Sequence, residues 1–192
     1  PELNGVSLTV ERTVRFLRSR GHNVELIRPR QPGEAALDAN DELRTAGWPI
    51  PVYREMRFGV SRIAPLVRRF RATAPELVHF ATPGPLAWAA LPAARALGIA
   101  TTSDFRTNFH QYSRYYGLGA LATPVLGLLR RFHNLTQQTF VPTRATAREL
   151  RAAGFHNLTT VGRGVDAERF APAQRSAEEP LRATSSFSRY CE

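Results

Sequence analysis

Val6, Val10, Val14 and Leu17 recur at i, i+4, i+8 and i+11, which lays one apolar stripe along a helix over residues 6–20. Gly21 supplies its stop, with Arg18 and Arg20 at the negative end of the helix dipole. The apolar run Asn23–Ile27, ended by Pro29, predicts a strand, and residues 30–48, with Pro32, Gly33 and Gly47, read as a polar loop. Residues 51–58 alternate as a strand would, and the flanking prolines place it at a sheet edge. Residues 60–74 predict a helix started or kinked at Pro65. Leu77–Phe80 is a short apolar run with no polar side, the pattern of a parallel strand buried on both faces. Thr82, Pro83 and Gly84 make a turn, Pro85 is preset for a first helical position, and the helix runs on to Gly98. Ile99–Ser103 and Thr139–Thr143 are further strands, Thr143 caps a helix that stops at Gly154, and residues 158–166 close the series.

Strand and helix alternate along nearly the whole chain, so the connections are crossovers and the sheet is mostly parallel. The expected fold class is α/β, a Rossmann-like doubly wound sheet in one domain over residues 1–172. Beyond Pro172 the periodicity dissolves, and residues 173–192 read as an irregular tail.

Composition changes this picture in one respect. The 192 residues carry 26 basic and 16 acidic side chains for a net charge of +10, and every basic residue is arginine. That surplus either reflects codon usage in a GC-rich genome or favours anionic partners such as phosphates, nucleic acid or an acidic membrane. Aromatic residues cluster at Tyr112–Tyr116 instead of interleaving along a basic face, which argues against nucleic acid. Cys191 stands alone, so there is no disulfide framework and a reducing cytoplasm suits the chain. The longest apolar run, residues 118–129, is too short to span a bilayer and is broken by Pro124; it is either a core helix or one resting at a membrane interface.

In an open parallel sheet, ligands gather where helix N-termini meet strand carboxyl ends. Four such loops are legible: Glu2–Val6, Thr82–Pro85, Ser103–Gly117 and Gly162–Asp166. The first lacks the three spaced glycines of a dinucleotide site, and there is no P-loop. His22, His79, His110, His133 and His156 have no spacing that binds a metal, so none is expected. His22 and His156 follow helix ends beside glycine, and His79 reads as a core residue of its strand. The third loop is the richest. Arg106 and Arg114 offer bidentate phosphate binding and His110 a proton exchanged near neutral pH, unless the loop is simply solvated and followed by an aromatic packing helix.

The stretches NGV with RFLRSRGHNVELIRP, PELVHFATPGPLAW, TSDFRTNFHQYSRYYG and VGRGVDAERFAP together resemble glycosyltransferase family 4, in order and spacing, from Pro1 to about Pro172. The chain looks most like lipid-directed members of that family, similar to phosphatidylinositol mannosyltransferases and sulfoquinovosyl-diacylglycerol synthases. The resemblance implies the N-terminal half of a GT-B architecture, lacking its first strand and its second domain. That strand would lie between Asn23–Ile27 and Leu77–Phe80. It also implies a retaining transfer, without metal or other cofactor, from a GDP- or UDP-linked sugar to a lipid or polyol acceptor, in the cytoplasm or peripherally on the inner face of the membrane. Residue by residue it places Gly5 and Val6 at the donor phosphates; Asn4, Thr82, Gly84, Thr107, Asn108 and Arg114 at the acceptor; and Gly164 and Asp166 in the interdomain segment. Arg106 and His110 are the candidate catalytic residues, because Arg106 stands before Thr107 where the family carries a histidine, and His110 follows four residues later. The alternatives are a non-catalytic basic module for anionic membrane or nucleic acid, and part of a nucleotide-sugar epimerase.

Overall fold

The computed structural model describes residues 5–34, 41–49, 57–106 and 119–162. Contacts divide the chain into Pro1–Val161 and Gly162–Glu192, and every element below belongs to the first unit. In chain order these are α1 (Gly5–Ser19), β1 (Leu26–Pro29), β2 (Glu42–Pro49), β3 (Arg57–Val60), α2 (Ile63–Thr73), β4 (Leu77–Phe80), α3 (Pro85–Ala96), β5 (Ala100–Asp104), α4 (Gly119–Leu135), β6 (Gln138–Val141), α5 (Arg144–Ala152) and β7 (Leu158–Thr160). The alternation expected from the periodicity is present, and the fold is a Rossmann-like α/β half.

The strands form two ladders. One has the order β1-β2-β3, with β1 and β2 parallel and β3 antiparallel; the other, β4-β5-β6-β7, is parallel throughout. β1 and β4 each end their ladder, so among the described residues each has one edge without a strand beside it. Both ladders nevertheless feed one core. Leu66 and Phe70 of α2, Phe80 of β4, four alanines and Leu91 of α3, and Phe132 of α4 are buried together, with Ile27 of β1 and Leu43 of β2 packed against them. Phe132 is met edge-on by Phe80 at 5.4 Å and by Trp88 at 5.3 Å. A second core joins Phe105, Leu129 of α4, Val141 of β6, Ala147 and Leu150 of α5, and Phe155.

Local chemistry explains the element boundaries. Thr143 takes the Thr146 amide on its side-chain oxygen at 3.1 Å, the cap expected for α5, and Gly154 follows with φ +83°. α3 opens with Pro85 in its first turn, as expected. α4 runs through Pro124 instead of being broken by it, and it lays Val125, Leu126, Leu129 and Phe132 against the two cores while Leu128 stays exposed. Pro124 is the sixth residue of the helix, past the first turn, so the residue 120 carbonyl goes without the amide bond an α-helix would give it.

Two expectations are corrected. Residues 42–49 form a strand, not part of a loop. Glu42 and Arg44 interrupt any apolar pattern there, but the fold neutralises them. Arg28, level with Arg44 on the neighbouring strand, bonds Glu42 and, at 2.7 Å, Glu34; Arg44 reaches Glu42 at 2.8 Å. The hydrogen bond from Arg28 holds the Glu34 carboxyl down at about 2. β4, expected to be buried on both faces, buries only Phe80; Leu77 is 52% exposed. The strand expected at Asn23–Ile27 is found as Leu26–Pro29, and of residues 51–58 only Arg57 and Phe58 lie among the described residues, in β3.

Two glycines test the packing. A Cβ on Gly47 would lie 2.9 Å from the Arg30 carbonyl oxygen, whereas one on Gly127, inside α4, meets nothing within 4 Å. Gly47→Ala is expected to destabilise the protein by about 1–3 kcal/mol. Gly127→Ala is expected to stabilise it by up to about 1 kcal/mol. Urea unfolding midpoints of the two variants moving in opposite directions is the result that checks this.

Candidate active site

The site is built at the carboxyl end of β5. Side chains alternate along a strand, so Thr102, Asp104 and Arg106 project to one side and Ser103 to the other. On the first side, His79 of β4 stands level with Thr102; its Nδ1 lies 2.9 Å from Thr102 Oγ1 and its Nε2 3.2 Å from Asp104 Oδ2. Its ring stacks on Phe140 at 6.0 Å. Arg106 donates from Nε to the same Oδ2. Asp104 is therefore a carboxylate only 4% exposed, held between a histidine and a guanidinium. Burial pushes its pKa up, but the hydrogen bonds and charges of His79 and Arg106 outweigh burial, and the net result is below the ordinary aspartate value.

On the other side of β5 the polar groups are sealed in. Ser103 Oγ lies 2.9 Å from His133 Nδ1, 2.9 Å from Thr136 Oγ1 and 3.0 Å from Thr139 Oγ1, and all four residues are buried. Ser103 and Thr139 meet because they are register partners on adjacent parallel strands. Desolvation holds the His133 pKa down to about 4, against the opposing pull of Asp104. A small cavity of about 10 Å³ lies between the two polar groups, walled by the Ala81–Pro83 turn, Asp104, Phe105, Arg106, Leu129 and His133.

The structure brings Thr82 and Arg106 to the lining of one cavity. Gly84 is the residue before α3, with φ −82° and ψ 179°, and accepts the Trp88 amide at its carbonyl. Gly5 and Val6 open α1. Asn4, Thr107, Asn108, His110, Arg114, Gly164 and Asp166 lie outside the described residues. His79 differs from its expected role as a core residue: its side chain is 35% exposed and its Nε2 lies 3.2 Å from Asp104 Oδ2. The residues not anticipated are Ser103, Asp104, His133, Thr136 and Thr139. The signal available for them was the run of small hydroxyls on β5 and β6, strands that otherwise read as buried. Among the described residues no group of His, Cys, Asp or Glu is arranged to hold a metal ion, and no helix is long and apolar enough to cross a membrane.

A buried carboxylate held by a partly exposed histidine and by an arginine lies at a strand's carboxyl end on a Rossmann-like α/β half. The chain belongs to glycosyltransferase family 4, whose family model matches residues 3–169. It is 33% identical to a GDP-mannose-dependent alpha-mannosyltransferase of Mycobacterium tuberculosis, over 92% of this chain and 48% of the relative. It is 30% identical to a protein of the same name from Corynebacterium glutamicum, over 92% of this chain and 43% of that protein. A sulfoquinovosyl transferase of Arabidopsis thaliana is 25% identical over 95% of this chain and 36% of its own length. The chain spans about half the length of the bacterial relatives it matches, and less of the plant one.

The depressed His133 pKa has a testable consequence. Its folded value, about 4, lies below the ordinary 6.5, so between those pH values the unfolded chain binds the extra proton and the folded chain does not. Stability is complete above pH 6.5 and falls by about 3 kcal/mol as pH drops to 4. Glu34, also depressed, loses its contribution in a lower window, as pH falls from 4.5 towards 2. Urea midpoints measured from pH 7 to pH 3 are expected to fall in both windows, with His133→Phe flattening only the upper one.

Proposed function

We propose that this chain is the N-terminal, acceptor-side domain of a retaining hexosyltransferase that moves a sugar from a nucleotide-sugar to a lipid or polyol acceptor. Family membership supports the reaction class, and the names of the three bacterial relatives favour GDP-mannose over a UDP-linked donor. The observation that carries the reading is Arg106. Its Nε is anchored to a buried carboxylate, while no described residue takes its terminal nitrogens. When the anomeric carbon–oxygen bond breaks, negative charge develops on the departing diphosphate, and a guanidinium pinned in place stabilises that charge without having to reorganise. Thr82, which lines the same small cavity, is the hydroxyl this reading assigns to the acceptor. No metal or organic cofactor is part of this reading. The cytoplasm, with contact to the inner face of the membrane, is the compartment it fits.

A second reading, the non-catalytic binding of anionic membrane, has its own observation. Arg144, Arg148 and Arg151 of α5 line an open groove of about 520 Å³ beside Thr160. Basic groups near an acidic surface contribute about 1 kcal/mol each and are screened by salt. Vesicles of phosphatidylinositol are expected to bind the chain at low salt and release it at high salt. Equal binding to neutral vesicles sinks the electrostatic account.

The enzymatic reading is tested in a full-length family member rebuilt around residues 3–169. Arg106→Ala is expected to lower kcat/KM for transfer from GDP-mannose by about a hundredfold, and by more than His110→Ala does. The opposite ranking returns the leading role to His110. The isolated chain is expected to show no turnover of GDP- or UDP-sugars above a buffer blank, because the donor's other contacts lie outside it.

A further inference from the structure

The hydroxyl protons around Ser103 leave one atom that no described residue satisfies. Thr136 has a single hydroxyl proton, and its shortest contact, 2.7 Å, is to the His133 carbonyl, so it has none for Ser103. The 2.9 Å contact between Ser103 and Thr136 is then a bond donated by Ser103. With its proton spent, Ser103 accepts from Thr139 at 3.0 Å and from His133 Nδ1 at 2.9 Å. Every contact of Ser103 is satisfied by this arrangement and by no other that keeps the Thr136 bond. It makes the ring the Nδ1–H tautomer and leaves Nε2 as a bare acceptor. His133 is 1% exposed, and Nε2 is the buried polar side-chain atom with no hydrogen-bond partner among the described residues.

His133 and Asp104 both line the small cavity beside the Ala81–Pro83 turn. Both side-chain contacts of Asp104 end on Oδ2, which leaves Oδ1 without a partner among the described residues. Two residues with a free acceptor thus line a space of about 10 Å³, close to the volume that the centre of one water needs. Whatever fills it must bring two donors and be no larger than water.

We propose that this cavity is a binding site for a single buried water that donates one proton to His133 Nε2 and the other to Asp104. Arg106 and Thr82, which also line the cavity, bring donors for the water's own oxygen. The water links the hydroxyl cluster behind β5 to the carboxylate in front of it. It holds Oδ1 while Oδ2 stays on His79 and Arg106, and so acts as a positioning element for the arginine. A bare ring nitrogen against a dry void is the alternative, and buried polar atoms are seldom left in that state.

The test uses the chain as it stands. Long-range ¹H–¹⁵N correlation spectra of the imidazoles at pH 7 are expected to show His133 protonated at Nδ1 and unprotonated at Nε2. A high-resolution crystal structure is expected to show one density peak at roughly 2.7–3.2 Å from Nε2 and from an Asp104 oxygen. An Nε2–H tautomer, or an empty cavity, overturns the proposal. In His133→Phe, which removes the acceptor, the peak is expected to vanish. A water persisting there at full occupancy overturns His133 as its anchor, and the two wild-type measurements decide the matter if that variant does not fold.

Discussion

The geometry of the site depends on one buried charge. A carboxylate taken out of water costs several kcal/mol unless it is paired and hydrogen-bonded, and Asp104 is almost wholly buried at the last position of β5. The compensation comes from two directions. His79, on the adjacent strand, ties β4 to β5 beyond their backbone ladder. Arg106, two residues on, ties down the chain just as it leaves the sheet. The same contacts that make the carboxylate tolerable fix Arg106 at the end of the described stretch after β5. Stability and placement of the site are one requirement here.

The rest of the first unit supplies the rigidity that this requirement needs. α3 buries four alanines and a leucine, and the small side chains let its backbone lie close to its neighbours while Phe80, Phe132 and Trp88 fill the wider gaps with edge-on ring contacts. Among the described residues the two ladders are joined through this core. Side-chain packing, not a continuous set of backbone hydrogen bonds, joins β1 and β2 to the parallel strands in the described residues. On the outer ladder, Arg28 holds Glu34 and Glu42 in one ionic cluster that also includes Arg44. Strands that carry charges in their interior remain strands because Glu42 lies diagonally across the ladder from Arg28 and beside Arg44.

How much was legible follows from the range of the interactions involved. The helices α2, α3 and α5 were readable because a 3.6-residue period, a proline in the first turn and a threonine cap are all local. β2 was not, because its charged residues conceal the alternation and are acceptable only beside Arg28, which belongs to another strand. β4 was misread as buried on both faces because Leu77, Val78 and Phe80, read in order, carry no information about which neighbours will cover them. Arg106 and Thr82 were singled out from their place after strands, and the structure puts both in the lining of one small cavity. His133 was set aside, since five histidines without metal spacing give no reason to prefer one.

The amino-acid sequence alone determined the alternation of strand and helix, the parallel α/β class, the family resemblance and the loops where ligands gather, since each of these rests on short-range patterns. Only the tertiary structure decided which polar residues are buried and what charge they carry. Ser103, His133, Thr136 and Thr139 form one hydrogen-bonded cluster across as many as 36 positions of chain, and Asp104 meets a histidine from another strand. Protonation and burial are set by neighbours in space, and a chain read in order does not contain those distances.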